Sequence, residues 1–187
     1  MRSWVATQKI AIERTQAWLE RVVLGLNFCP FARAPYKSGR VELTVCPSSK
    51  EEVVLESLHQ HLTELDTISE SVCETLLLII PNALSDFYDY NHFLDRAERL
   101  LVQGGWEGVF QIASFHPDYQ FADVAANDVT NYTNRSPYPI LHVLRESSIT
   151  RVVGNDAVIE QVIENNQRLL REMTQEQFKR LFVDEVL

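Results

Sequence analysis

The stretch "TLLLII", residues 75–80, restricts the fold more than any other part of this chain. It is apolar on both sides of an extended backbone, as a central strand covered on both faces must be. Helices able to cover it stand on either side in sequence. Over Thr7–Leu26, the residues Ile10, Ala11, Trp18, Val22 and Leu26 fall on one helical face. Val54, Leu55, Leu58, Leu62 and Leu65 do the same in a second helix, opened by the capping boxes Ser48-x-x-Glu51 or Ser49-x-x-Glu52. A third helix, capped by Ser85, aligns Phe87, Tyr90, Leu94, Ala97 and Leu101, and Gly104-Gly105 stops it. Val41, Leu43 and Val45 alternate with Glu42, Thr44 and Cys46 as a half-exposed strand, and Val109–Phe115 supplies another. Strands that alternate with helices predict right-handed parallel crossovers. The expectation is a single α/β domain over residues 1–187, with a small, mainly parallel sheet of three or four strands and helices packed on its faces. A fourth strand would come from within Tyr119–Ala126. Further on, the pattern predicts a helix over Pro137–Ser148, a break at Gly154, a long helix from Asn155, and a final turn opened by Thr174-x-x-Gln177.

Composition narrows the partners. The 187 residues are 45% hydrophobic and 23% charged, ordinary values for a chain that buries its own core. A net charge of −9 opposes a nucleic-acid backbone or an anionic membrane as the main partner. The apolar run Leu76–Ile80 is far too short to span a bilayer, and MRSWVATQKI lacks the apolar core of a signal peptide. Cys29, Cys46 and Cys73 are odd in number, widely spaced and form no CxxC pair, which fits a reduced, cytoplasmic setting. The N-x-S/T patterns at Asn131 and Asn134 are then chance matches. Nothing in the sequence names a cofactor or an oligomeric state.

The segment from Phe115 to Ser136 breaks the pattern. It is a long connection of Asp, Asn, Tyr and Thr with no period, where unstructured connections beyond roughly 12–15 residues are mostly functional or disordered. Its aromatic residues Phe115, Tyr119, Phe121 and Tyr132 argue for order. It also begins where open α/β sheets bind ligands, beyond the carboxyl end of a strand. His116 is a general base, a metal ligand, or a histidine that bonds a carbonyl and fixes the loop. Asp118, Asp123 and Asp128 are cation ligands or turn-formers, and their spacing does not match a calcium loop. Arg135 is either a planar fork for an anion or the partner of Glu146 or a loop Asp. With Ser136 as N-cap, Pro137 and Pro139 leave only the Tyr138 N–H free in the first turn, too few donors for a phosphate cradle. His142 and Glu146, four apart, share one face of that helix as a surface pair.

A second candidate stretch is "LNFCPFARAPYKSGR", residues 26–40, whose only charges are Arg33, Lys37 and Arg40. A nearby cation lowers the pKa of Cys29 while a helix end raises it, so the two effects oppose. A cysteine flanked by Phe28, Pro30 and Phe31 is otherwise a buried, inert thiol.

The segments "WLERVVLGLNFCPFA", "FHPDYQFA" and "NYTNRSPYPILHVLRE" resemble the hallmark segments of the bacterial family called domain of unknown function 1415, and the likeness covers nearly the whole chain. The resemblance implies a cytoplasmic, single-domain protein. It implies no reaction and supplies no catalytic residues. At Phe121-Ala122-Asp123 the family pattern tends toward glycine in the third place, so Asp123 is given no role.

Three functions compete. The first is a small enzyme acting on a small anionic metabolite. In it His116 is the acid–base group, Arg135 the anion clamp and Cys29 a nucleophile or wall residue, with Asn27, Tyr119, Asn131, Tyr132 and Asn134 touching substrate. The second is a zinc or iron enzyme using His116, His142 and Cys29 or an Asp, although no ligand spacing marks such a site. The third is a non-catalytic module that binds a metabolite or a partner protein.

Overall fold

The computed structural model describes residues 2–153 and 156–182. A four-stranded sheet in the order β1-β2-β4-β3 is formed by β1 (Val41–Val45), β2 (Thr75–Ile79), β3 (Phe110–Phe115) and β4 (Ile140–Arg145). The sheet is mixed. β1 runs parallel to β2, but β4 is antiparallel to both β2 and β3, which corrects the mainly parallel expectation.

The fourth strand is the segment expected to be a helix, whereas residues 119–126 hold turns. Ser136 and Tyr138 each precede a proline, which biases both toward extended backbone. From there Ile140, His142 and Leu144 alternate with Leu141, Val143 and Arg145, a period of two that suits a strand buried on both faces. His142 and Glu146 therefore share no helix face.

Helices cover both sides of the sheet. On one, α3 (Glu51–Thr67) and α4 (Phe87–Gln103) bury Leu58, Leu62, Tyr90 and Phe93 against Leu76, Leu78, Leu141 and Val143. On the other, α1 (Arg2–Trp18) runs into a π-helix (Leu19–Leu24), so that Trp18, Leu19 and Val22 meet Leu77, Ile79 and Ile140. Short α2 (Arg33–Lys37) follows, and after α5 (Glu146–Val153) come α6 (Asp156–Glu172) and α7 (Gln175–Phe182), whose Leu170 and Phe182 join the α1 side. The expected break at Gly154 lies outside the described residues. No helix among the described residues is long and apolar enough to cross a membrane.

The capping expectations divide. Thr174 and Gln177 form the anticipated box, with each backbone N–H bonded to the other's side chain. α4 is instead capped by Asp86, whose carboxylate accepts from the N–H groups of Tyr88 and Asp89. Lys50 begins α3 without a side-chain cap.

Arg145 ties the sheet to α3. Its guanidinium donates to the carbonyls of Leu65 and Ile68 at 2.7 Å and of Cys73 at 3.3 Å. These close the end of a helix that lacks intrahelical partners there. Hydrogen bonds to charged groups contribute about 1.5–3 kcal/mol. Arg145→Leu should therefore cost at least about 3 kcal/mol, lowering Tm by about 6–12 °C in a chain of this size. Arg151→Leu removes the exposed pair with Glu70 and a long 3.9 Å contact to Glu74, and should cost about 1 kcal/mol or less. Thermal unfolding of the two variants checks the contrast.

Candidate functional site

The long connection is ordered chiefly by its own polar side chains. Asn131, fully buried, accepts from Phe121 N–H at 3.0 Å and donates to Ala125 O at 2.8 Å. Asn134 donates to Ser114 O, and its own carbonyl accepts from His116 N–H. Asp128 caps a 3₁₀ turn (Val129–Thr133), and the Thr130 hydroxyl and N–H hold its carboxyl below the usual range. Arg135 donates to Tyr119 O at 3.3 Å and Ala126 O at 2.8 Å, and stacks 4.4 Å over Tyr132. It binds carbonyls, and neither Glu146 nor a loop Asp. Tyr132 packs edge-on against Phe178 and Phe182 of α7, while Tyr119 lies against Phe87 and Phe121. Asp123 sits at φ +60°, the left-handed region that favours glycine.

His116 is fully buried beside Phe87 and Tyr90 on the α4 side. Its Nδ1 accepts from Asp118 N–H at 3.0 Å, so Nε2 carries the proton and donates to Leu84 O at 3.0 Å. Leu84 itself is at φ +56°, a strained conformation for a branched side chain. Both ring nitrogens are occupied, and burial lowers the ring's pKa.

A different group of residues surrounds space. Between the π-helix and the opposite sheet face lies a cavity of about 60 Å³. Its floor is Val41, Thr75, Leu77, Phe115 and His142, and its wall is Trp18, Leu19, Val23 and Leu24. The basic stretch forms the roof through Cys29, Phe31, Ala32, Pro35 and Tyr36. Two hydrogen bonds fasten that roof: Tyr36 donates to Glu20 at 2.5 Å, and Arg33 donates to Leu24 O at 2.7 Å. The wide π turn needs Gly25, where a Cβ would stand 2.1 Å from Arg21 O.

Of the sequence-predicted residues, only Cys29 and His142 border this cavity. His116 lies across the sheet and Arg135 lies in the connection, so the cavity does not join Cys29 to either. Asn27, exposed at φ +57°, borders a separate open cleft of about 520 Å³ with Asn166 and Gln177. His116, His142 and Cys29 likewise do not converge. In the sequence Thr75 and Trp18 read only as strand and helix-face residues, and Ser148 only as a helix end. The two-residue alternation through His142 was the signal that could have brought in the floor.

Burial raises the Cys29 thiol, outweighing the N–H groups of Phe31 and Ala32. It lowers His142 to about 4, which leaves the ring neutral near pH 7. The charges at the cavity's rim are already engaged. Glu74 pairs with Arg40, and Arg145 holds the α3 carbonyls.

The chain matches the family described as "Protein of unknown function (DUF1415)" over residues 10–180. It belongs to that family. No curated protein and no solved structure matches it. Within this family member, residues 18–36 build the wall and roof of the cavity, and residues 131–146 carry the end of the long connection and His142.

Unfolding restores His142 to about 6.5, so the unfolded chain binds more protons between pH 6.5 and 4. Stability is full above that window and is lost as pH falls through it. At 1.36 kcal/mol per pH unit the loss is about 3 kcal/mol, and it should be smaller by that amount in His142→Phe, measured by urea unfolding at pH 7 and 4.5. His116→Ala leaves Leu84 O and Asp118 N–H unpaired, and should cost about 2–4 kcal/mol at pH 7 in the same assay.

Proposed function

We propose that this protein binds a small, neutral, largely apolar molecule in the cavity between the π-helix and the sheet. The observation that carries the reading is an apolar space under a hydrogen-bonded roof, with a neutral imidazole in its floor. Cavities of this kind, lined by apolar groups with a few fixed polar ones, are the usual form of a small-molecule site. At roughly 30 Å³ for each water the space holds about two, and it is under half the roughly 150 Å³ of a cavity that takes benzene, so a ring enters only as the roof gives way outward.

The anionic ligand expected from sequence finds less support. Arg135 is spent on loop carbonyls, and each charge at the cavity rim has a partner. Nucleophilic catalysis is also poorly served. A thiol whose pKa is raised stays protonated, and an imidazole near 4 is too weak a base to take its proton. The π-helix supports a functional reading of the wall, because such insertions are uncommon and concentrate at functional sites.

Benzene is the simplest probe. Its titration, followed by ¹H–¹⁵N spectra, should shift the amides of Val23, Leu77 and His142. At ten times its Kd it should raise Tm by about 3–5 °C. Ala32→Leu, which fills the space from the roof, should remove both effects. An unchanged wild-type spectrum at saturating benzene would overturn the reading.

A further inference from the structure

The hydrogen bonds beneath the cavity settle which nitrogen of His142 carries the proton. Thr75 Oγ1 lies 2.7 Å from both Val143 O and His142 Nε2. A threonine hydroxyl has one proton, and a carbonyl can only accept. That proton goes to Val143 O, so His142 Nε2 must be the donor to Thr75. Nδ1 is then a bare lone pair, and it makes no hydrogen bond among the described residues. The ring borders the cavity.

Two other polar groups in the same lining lack partners. Trp18 is 1% exposed and Ser148 7% exposed, and neither the indole N–H nor the hydroxyl is hydrogen-bonded. Buried polar atoms are otherwise paired in nearly every case, so two such orphans among the residues of one lining call for an explanation.

We infer that the molecule bound in this cavity is a hydroxyl- or N–H-bearing ring that donates a hydrogen bond to Nδ1 of His142. This rests on the binding reading above and adds the polar group of the ligand to it. Thr75 is a positioning residue in this scheme, since it holds the ring in the tautomer that accepts. Burial keeps that tautomer neutral at working pH. A ligand with an ether in place of the hydroxyl would leave Nδ1 facing an acceptor, and a carboxylate would add repulsion.

Phenol, anisole and benzene separate the possibilities by titration of the full chain. In the wild type, phenol should bind at least about fivefold more tightly than anisole. The phenol-to-benzene affinity ratio should fall at least about fivefold in His142→Leu, while benzene still binds. Thr75→Ser, which keeps the hydroxyl, should retain the wild-type ratio, and Thr75→Val should lower it. Should His142→Leu fail to fold, the imidazole ¹⁵N resonances of the wild type decide the matter. Phenol should move Nδ1 to lower frequency with Nε2 still protonated, and benzene should not. Benzene binding with a phenol ratio indifferent to His142, or an Nδ1 resonance unmoved by bound phenol, would overturn this inference and leave the binding reading standing. Failure of all three probes to bind would overturn both.

Discussion

Everything on the α1 side of the sheet depends on β4 lying antiparallel between β2 and β3. That pairing places His142 opposite Leu77 and Leu144 opposite Thr75, in the middle of the sheet rather than on an outer helix. Side chains alternate along a strand, so His142 and Arg145, an odd number of residues apart, emerge on opposite faces. One register therefore sets two distant features at once. Arg145 reaches the end of α3, and His142 reaches the cavity floor. A slip of one residue would exchange the faces and lose both.

That dependence explains what could be read from the sequence and what could not. β2 was legible because five consecutive buried positions leave no other reading of "TLLLI". Its covering helices were legible from their apolar faces, and the order of the connection from its aromatic residues. β4 was not, because Pro137 after Ser136 imitates a helix start and six residues show too few periods to contradict it. Calling "ILHVLR" a helix removed the antiparallel strand, which in turn made the sheet look parallel. The same error carried His142 to a solvent-facing helix.

The site reading meets a second physical limit. Polar residues in a long connection satisfy backbone groups or bind ligands, and the composition is identical in the two cases. Here Asn131, Asn134 and Arg135 act as substitutes for backbone partners, and His116 supports the strained carbonyl of Leu84. Such assignments require geometry. The basic stretch 26–40, the second candidate in the sequence, forms the roof. Its cations do not activate Cys29, since Arg33 is directed to the end of the π-helix and burial governs the thiol.

On the binding reading the cavity is more than a flaw in packing, and the reason is energetic. Protein interiors contain few voids larger than a water, and an empty space of this size costs on the order of 1–2 kcal/mol. That is a noticeable fraction of the 5–15 kcal/mol by which folded domains are stable. One larger side chain at a roof position such as Ala32 would fill much of it. Instead the wall adopts a π turn that requires Gly25, and two hydrogen bonds fasten the roof over the gap. A defect left by chance would have apolar walls that collapse inward or polar groups that find one another. The floor of this space carries a bare imidazole nitrogen, its tautomer set by Thr75.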